Sequence, residues 1–514
     1  MDLTIFEFGL IIIGLLSALY YYLVSTYDYW ESRGARGPKP IIFFGTIKDL
    51  MLNKCSMGDY VTNVYNEWKN EPYVGVFLRR QPVLILNDLD LIKDVLIKDF
   101  NTFAERTLEI HEKIEPLSAH LFNLEAKRWR PLRHQLTPVF TSGKLKQMFY
   151  LLIECADHLE KYLDDLVDST KTNEMIIEFR DFTAKFTTDV IGVCAFGLQM
   201  NAIADENSTF RSMGKRIFAN NWKTLMLFRL RTIAPQLFEI FGRFLVDKEM
   251  SDFYINTMTQ TMDYRKKNGI VKHDFIDLLM VLRDHPEKVT DIELNDGLLA
   301  AQLFVFFVAG FETSSSAISH ALYELALNPE VQEKLRQEIK HKMNETGNKI
   351  DYDMIKSMKY LDMVFQETLR KYPPVTFLMR KSIEPYTFHD SSNNKLLTIK
   401  KGESIWIPNY AIQHDHRYFP EPEVFDPERF TEEAIKSRHS MIYLPFGDGP
   451  RNCIGKRFGV MQTKVGLIKI LHHYSVETCE KTTIPYESDP KAFLLSPKNG
   501  IHLKIVRDAL STDL

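Results

Sequence analysis

A chain of 514 residues is long enough to bury one or more large cores, and length alone suggests about three domains. A formal net charge of −4 with 26% charged residues excludes the strongly basic balance expected of a nucleic-acid partner. The five cysteines, Cys55, Cys155, Cys194, Cys453 and Cys479, are odd in number and widely spaced, which argues against a disulfide framework and for a reducing compartment, and no Cys-x-x-Cys offers a zinc site.

From Phe8 to Val24 the chain carries no charge, near the lower length limit for a bilayer-spanning helix. No small-residue cleavage site follows, Asp2 and Glu7 stand where a signal peptide would carry Lys or Arg, and Tyr20, Tyr21 and Tyr22 fall where an interface belt would lie. Arg33, Arg36 and Lys39 come next, so the positive-inside rule places the bulk of the chain in the cytosol. The expectation is an uncleaved membrane anchor over residues 1–30 in the endoplasmic reticulum, in preference to a cleaved signal. Asn207-Ser208-Thr209 and Asn344-Glu345-Thr346 fit the glycosylation sequon, which acts only on a lumenal chain. Gly37-Pro38-Lys39-Pro40 punctuates a stiff hinge over 31–42, leaving 43–514 as the globular domain.

Tyr73 to Leu86 reads as two strands joined at Arg79-Arg80-Gln81. Lys127, Arg128, Arg130 and Arg133 crowd around Trp129, with Pro131 placed to open a helical turn. No clean period appears between Ile110 and Phe122 or between Phe210 and Phe244. In the second region Lys223, Arg229 and Arg231 interleave with Trp222, Leu225, Met226, Leu227 and Phe228, a pattern shared by a membrane-surface helix and an amphipathic core helix.

Thr290-Asp291-Ile292-Glu293 reads as a capping box opening a long buried helix that runs to Asn328-Pro329. Inside it Ala309-Gly310-Phe311-Glu312-Thr313 places a charge and a hydroxyl in a very apolar stretch, at a cost of several kcal/mol, roughly, unless both are satisfied. Gly310 has a bland reading as an aid to helix packing, and the Thr313 hydroxyl as a bond back to the preceding turn. Helical spacing puts Ala309 and Val305 on the Thr313 side with Val308 adjacent. Glu367 and Arg370 touch at i and i+3 near the end of another helix closed by Pro373-Pro374; by itself that pair is a weak signal. His414-Asp415-His416 lacks a third metal ligand and reads as surface.

The richest stretch is Pro445-Phe446-Gly447-Asp448-Gly449-Pro450-Arg451-Asn452-Cys453-Ile454-Gly455. Ile454, Phe458, Met461, Val465 and Ile468 recur at helical spacing, so Cys453 is expected at a helix start, where backbone N–H groups favour a thiolate. Gly447 and Gly449 allow backbone angles barred to other residues and close approach to a flat ligand. Arg451 is suited to a carboxylate on that ligand and Phe446 to keeping water from the sulfur. The bland reading, a cysteine acting as a small buried hydrophobe, is outweighed by this surrounding pattern, and Cys453 is read as a haem-iron ligand.

As Phe-Gly-x-Gly-x-Arg-x-Cys-x-Gly, these residues resemble the haem-binding signature of the cytochrome P450 family of haem-thiolate monooxygenases, and the likeness extends along the chain. Trp129-x-x-x-Arg133, Arg106 in Phe103-Ala104-Glu105-Arg106, Ala309-Gly310-Phe311-Glu312-Thr313, Glu367-x-x-Arg370 and Phe425-Asp426-Pro427-Glu428-Arg429-Phe430 follow in family order. The closest appearance is to microsomal enzymes and, among them, insect detoxification members. The resemblance implies a mainly α fold with small β-sheets (α+β) behind one transmembrane helix, and a non-covalent haem b held by Cys453. Phe446, Ala309 and Gly455 would lie beside that haem, with Arg106, Trp129, Arg133, Arg380 and Arg451 on its propionates. Thr313 and Glu312 would activate oxygen, Gly310 would leave room for it, and a buried Glu367–Arg370–Arg429 network would fix the cysteine loop. Val305, Val308, Ala309, Val375, Thr376, Phe377, Phe493 and Leu494 would line the substrate pocket. Electrons would come from NADPH through a separate flavin-bearing NADPH–cytochrome P450 reductase, with cytochrome b5 as a further partner, docking on a face made basic by Lys456 and Arg457. The implied reaction inserts oxygen from O2 into a lipophilic molecule. A haem-thiolate isomerase or dehydratase, and a haem carrier or gas sensor, are the rival readings.

Overall fold

The apolar N-terminal stretch forms helix α1, Ile5–Val24, and none of its residues is buried. Its 20 residues span about 30 Å, the thickness of a bilayer's hydrocarbon layer. The helix includes Glu7 ahead of the uncharged run from Phe8, an acid tolerated there because the helix dipole favours negative charge in a first turn. The computed structural model describes residues 5–170, 172–205, 208–218, 223, 226–227, 230–231, 235–289, 292–390 and 395–508. Its strands are β1 Tyr73–Leu78, β2 Gln81–Leu86, β3 Glu174–Glu178, β4 Leu378–Lys381, β5 Tyr386–Asp390, β6 Lys395–Ile399, β7 Ser404–Ile407, β8 Tyr474–Glu477 and β9 His502–Arg507.

The chain divides into two compact units. The first comprises Met1–Thr107, Val375–Tyr418 and His439–Arg451. It is built on a four-stranded sheet in the order β1-β2-β7-β4, with β5 and β6 as a separate hairpin. The expected hairpin is present, but Gln81 opens β2 opposite Leu78, so the turn is Arg79-Arg80 alone, with Arg79 at φ 58°. Helix α2, Met57–Trp68, starts at a capping box between Ser56 and Asp59 and packs Tyr60, Val61 and Val64 on Val74, Val76, Val83, Phe377 and Trp406. The hinge region does not hang free of this sheet. Trp30 is buried and donates from Nε1 to Val76 O at 3.0 Å, and a Cβ on Gly37 would fall 2.0 Å from Gly75 O.

The second unit comprises Leu108–Pro374, Phe419–Arg438 and Asn452–Leu514. Its longer helices are α3 Ala126–Leu136, α4 Ser142–Asp168, α5 Phe179–Ile191, α6 Lys248–Asn268, α7 Asp296–Leu327, α8 Pro329–Glu345, α9 Lys359–Lys371 and α10 Lys456–His473, beside a three-stranded sheet in the order β3-β9-β8. The mainly α, small-sheet architecture is the one expected. Helix α7 is its spine, with both ends buried, and α5 is its principal neighbour.

Three helix starts differ from expectation. Helix α7 opens at Asp296, where Asn295 caps it by accepting from Leu298 N at 2.8 Å; Ile292–Asn295 is not helical, and Thr290 and Asp291 lie outside the described residues. Helix α3 opens at Ala126, so Pro131 sits within it. Helix α10 opens at Lys456 with Gly455 as cap, so Cys453 precedes the helix by a turn. In each case several neighbouring residues satisfy the same local rule, and packing selects among them. Part of the aperiodic Phe210–Phe244 region, including Trp222, Leu225, Phe228 and Arg229, lies outside the described residues.

Candidate active site

Within the second unit, α7 is buried on most sides, yet Ala309 is exposed and Val305, Val308, Glu312 and Thr313 are half-buried. The structure thus gathers the expected acid, hydroxyl and small apolar residues on one open stripe. Thr313 Oγ1 donates to Ala309 O at 2.7 Å, a bond that occupies its proton and leaves its lone pairs free to accept. Glu312 Oε1 accepts from Arg180 Nη2 of α5. Gly310 has a packing duty, since a Cβ there would sit 2.2 Å from Ile191 Cδ1 of α5; this is the bland reading of that glycine, in place of room for a ligand. Two threonines of α5 complete the clasp. Thr187 Oγ1 donates to Phe311 O at 2.9 Å and Thr183 Oγ1 to Ser315 O at 3.1 Å, bracketing Glu312. No local pattern in α5 announces these donors; only the helix pairing identifies them.

The same unit carries Cys453, which is exposed and in no disulfide, and the α3 residues Trp129, which is buried, and Arg133. Arg133 donates to Asn452 O and Asn452 Oδ1, both at 3.0 Å, so α3 is tied to the residue before the cysteine. Burial lowers the Arg133 pKa, opposed by the nearby Cys453 sulfur when charged. Arg128 of the basic cluster is matched by Glu125 and Glu112, which removes it from any cationic face; Lys456 and Arg457 remain exposed. Glu367 and Arg370 are fully buried and joined twice, at 2.7 and 2.9 Å; Arg429 Nε lies 3.5 Å from Glu367 Oε1, and Asp426 N donates to the same oxygen at 3.0 Å. This brings the three expected network residues together.

Within the first unit, Gly447 and Gly449 adopt φ 64° and 70°, as their place in the loop requires. A Cβ on Gly449 would fall 1.8 Å from Leu96 O, so its close approach is to the chain's own backbone. Arg451 is buried and donates from Nε to Ala104 O at 2.9 Å, while Arg106 Nη2 donates to Arg451 O at 3.1 Å, and Phe446 is half-buried. Arg380, in the middle of β4, is 2% exposed. Its Nη1 donates to Met379 O at 2.8 Å, its Nε has no partner, and among the described residues no carboxylate pairs with it; burial brings its pKa down to about 10.

The pocket candidates divide. Val375 and Leu494 are half-buried and Phe493 is 57% exposed. Phe377, expected to line a pocket, instead packs in the core of the first unit with its ring 5.1 Å from that of Trp406, and Thr376 is buried against Gly58. Alternation along an extended segment decides this, since Phe377 runs into β4 with its side chain on the core face. Glu160, His472 and His473 also cluster, but Lys469 Nζ bonds the other Glu160 oxygen at 2.5 Å and supplies the balancing charge.

Taken separately, each unit offers groups that suit a haem: in the first, a buried guanidinium with no counter-ion among the described residues is the orphan that an anionic propionate would satisfy, and in the second, an exposed cysteine in no disulfide suits a thiolate ligand.

The family model described as Cytochrome P450 matches residues 35–504. A Drosophila melanogaster protein named probable cytochrome P450 6a14 is 40% identical over 512 residues, covering 97% of this chain and 99% of its own length. A Blattella germanica protein, cytochrome P450 6j1, is 38% identical over 98% of this chain and 99% of its length, and a Musca domestica protein, cytochrome P450 6A1, is 37% identical over 97% and 98%. The expected likeness to insect members is borne out.

Proposed function

Since this chain belongs to the cytochrome P450 family and is a haem monooxygenase of that family, we propose that it inserts one oxygen atom from O2 into a lipophilic xenobiotic or endogenous lipid. The electrons are taken from NADPH through NADPH–cytochrome P450 reductase, with cytochrome b5 as a second donor. The observation that carries this reading is the Glu312–Thr313 pair beside exposed Ala309 on a partly open stretch of an otherwise buried helix.

A haem would be held by Cys453 as its ligand, with Arg106, Trp129, Arg133, Arg380 and Arg451 as candidate propionate partners, and would supply the oxygen activation. Thr313 Oγ1, its own proton committed to Ala309 O, accepts a hydrogen bond from water and holds it in place. Glu312 relays a proton to that water, its carboxylate first taking the proton up from bulk solvent and then giving it on. Val305, Val308 and Ala309 face the substrate and offer it no polar group, which favours lipophilic molecules; Val375, Phe493 and Leu494 are the further lining candidates. Helix α1 anchors the chain in the endoplasmic reticulum membrane, with Arg33, Arg36 and Lys39 on the cytosolic side. Lys456 and Arg457, both exposed, steer an acidic electron donor by charge.

Thr313→Ala should keep consuming NADPH while product per NADPH falls about tenfold or more and hydrogen peroxide appears in its place. Unchanged coupling would remove Thr313 from the mechanism, and turnover without any reductase would favour an isomerase or dehydratase.

A further inference from the structure

The segment between β8 and β9 closes on itself before the chain reaches its last strand. Lys498 N donates to Glu487 O and Asp489 N to Ser496 O, both at 2.9 Å; Ser488 pairs with Pro497 as an antiparallel bridge, and Lys498 Nζ meets Glu487 Oε2 at 3.0 Å. Residues 487–498 therefore form a closed loop, and its far end carries Phe493 and Leu494, two of the lining candidates. Next to them Leu495 is buried and donates from N to Pro374 O at 3.0 Å. Where that end stands depends also on how the base of the loop is held.

The base is held from α7. Tyr323 Oη donates to Thr483 O at 3.0 Å, and the Tyr486 hydroxyl, three residues on, meets His320 Nε2 at 3.1 Å. His320 is fully buried, and its Nδ1 lies 2.7 Å from Ser316 O, an atom that only accepts, so the ring proton sits on Nδ1. Burial above all, with the Arg180 charge adding to it, brings the His320 pKa down to about 3, and the ring stays neutral near neutral pH. Nε2 is then a bare acceptor and Tyr486 is the donor. The imidazole is fixed in turn from α9. Tyr372 stacks on it with centroids 4.6 Å and planes 22° apart, and the Tyr372 hydroxyl donates to Glu324 Oε1, which Lys371 Nζ also meets at 2.8 Å. Tyr486 packs on the same pair, its ring 5.3 Å from His320 and 5.0 Å from Tyr372. A neutral imidazole held in one tautomer and wedged between two rings gives the loop a single geometry of attachment.

We propose that His320 and Tyr486 are positioning residues for substrate selectivity, the bond between them fixing the base of the 487–498 loop and so the places of Phe493 and Leu494 beside the bound molecule. This rests on the reading of Phe493 and Leu494 as pocket-lining. Neither His320 nor Tyr486 touches substrate or haem in this scheme; both act through the loop. A displaced lining side chain alters the fit of a long apolar ligand and leaves a small one unaffected.

The test uses haem-loaded, full-length protein and two probes, 1-methylimidazole and 1-octylimidazole, whose free ring nitrogen binds haem iron whatever the natural substrate is. Their Kd values are read from the Soret shift, and only the octyl tail is long enough to reach the lining. One methylene's contact in an apolar pocket is worth about tenfold or more, so Tyr486→Phe should weaken octylimidazole about three- to tenfold and leave methylimidazole unchanged. His320→Asn, whose shorter side chain stops short of Tyr486, should do the same, and the two together should be no worse than either alone. His320→Gln, with an amide near the place of Nε2, should recover part of the loss. If Phe493→Ala and Leu494→Ala weaken octylimidazole while Tyr486→Phe and His320→Asn leave both Kd values at the parental level, the positioning role is wrong. If Tyr486→Phe and His320→Asn weaken both probes equally, the two residues serve the fold alone and the proposal fails as well. If Phe493→Ala and Leu494→Ala change neither probe, the lining reading fails first. Should Tyr486→Phe not accumulate with haem, His320→Asn carries the test by the same two Kd values.

Discussion

Arg370 and Arg380 lie ten residues apart in sequence, at the end of α9 and in the middle of β4, and both are buried almost completely. Arg370 is matched in full: two bonds to Glu367, one at 2.7 Å to Pro422 O, and the Phe419 ring 5.4 Å away. Among the described residues Arg380 has one bond, to the carbonyl of its own neighbour, and a buried Nε with no partner. Burying a charge costs several kcal/mol, roughly, unless it is paired. A chain that completes one of two buried cations and leaves the other open has separated a structural group from a receptive one. By this criterion Arg370 holds its unit together, whereas Arg380 is a buried cation with no carboxylate partner among the described residues.

The comparison breaks most visibly at Arg370. Arg370→Ala leaves Glu367 in the core with the Asp426 N–H and, as its cation, the more distant Arg429, and stability in urea unfolding should drop by about 3–5 kcal/mol. If the loss is no larger than for an exposed ion pair, burial has been given too much weight. His320 represents a third solution, a buried group that avoids an unmatched charge by staying neutral. Its folded pKa is about 3 against an ordinary 6.5, so the unfolded chain binds the proton first as pH falls. Its stabilising contribution is complete above pH 6.5 and is lost at about 1.4 kcal/mol per pH unit as the pH drops towards 3. Urea midpoints across that window should fall less steeply in His320→Asn; an identical slope would show that other groups govern acid unfolding. Arg380→Gln should change stability least, by under about 1 kcal/mol, because no ion pair is broken. Its effect should appear as a reduced haem-to-protein ratio on purification, and a loss of stability like that of Arg370→Ala would erase the distinction.

Much of this was legible along the chain because it depends on near neighbours. The uncharged run through α1 and the alternation in β1 and β2 are local patterns, and the buried stripe of Phe458, Met461, Val465 and Ile468 in α10 is another. The glycines that need left-handed angles beside Cys453 were equally plain. Helix starts were less so, since Thr290, Asn295 and their neighbours are all acceptable caps and packing decides which is used. Phe377 shows the same limit, because a phenylalanine next to a pocket motif and one on the core face of a strand read alike.

The sequence by itself determined the residue types that carry the chemistry and their local backbone: a cysteine after a glycine loop, an acid beside a hydroxyl on one helix, a membrane-length apolar segment. Only tertiary structure decided which buried groups are matched. Glu312 meets Arg180 across 132 positions of chain, Thr187 reaches Phe311 across 124, and among the described residues Arg380 is left without a carboxylate although acidic residues abound. Local periodicity follows from the geometry of a single helix or strand, whereas charge matching depends on which segments pack side by side, and that is settled only when the chain folds.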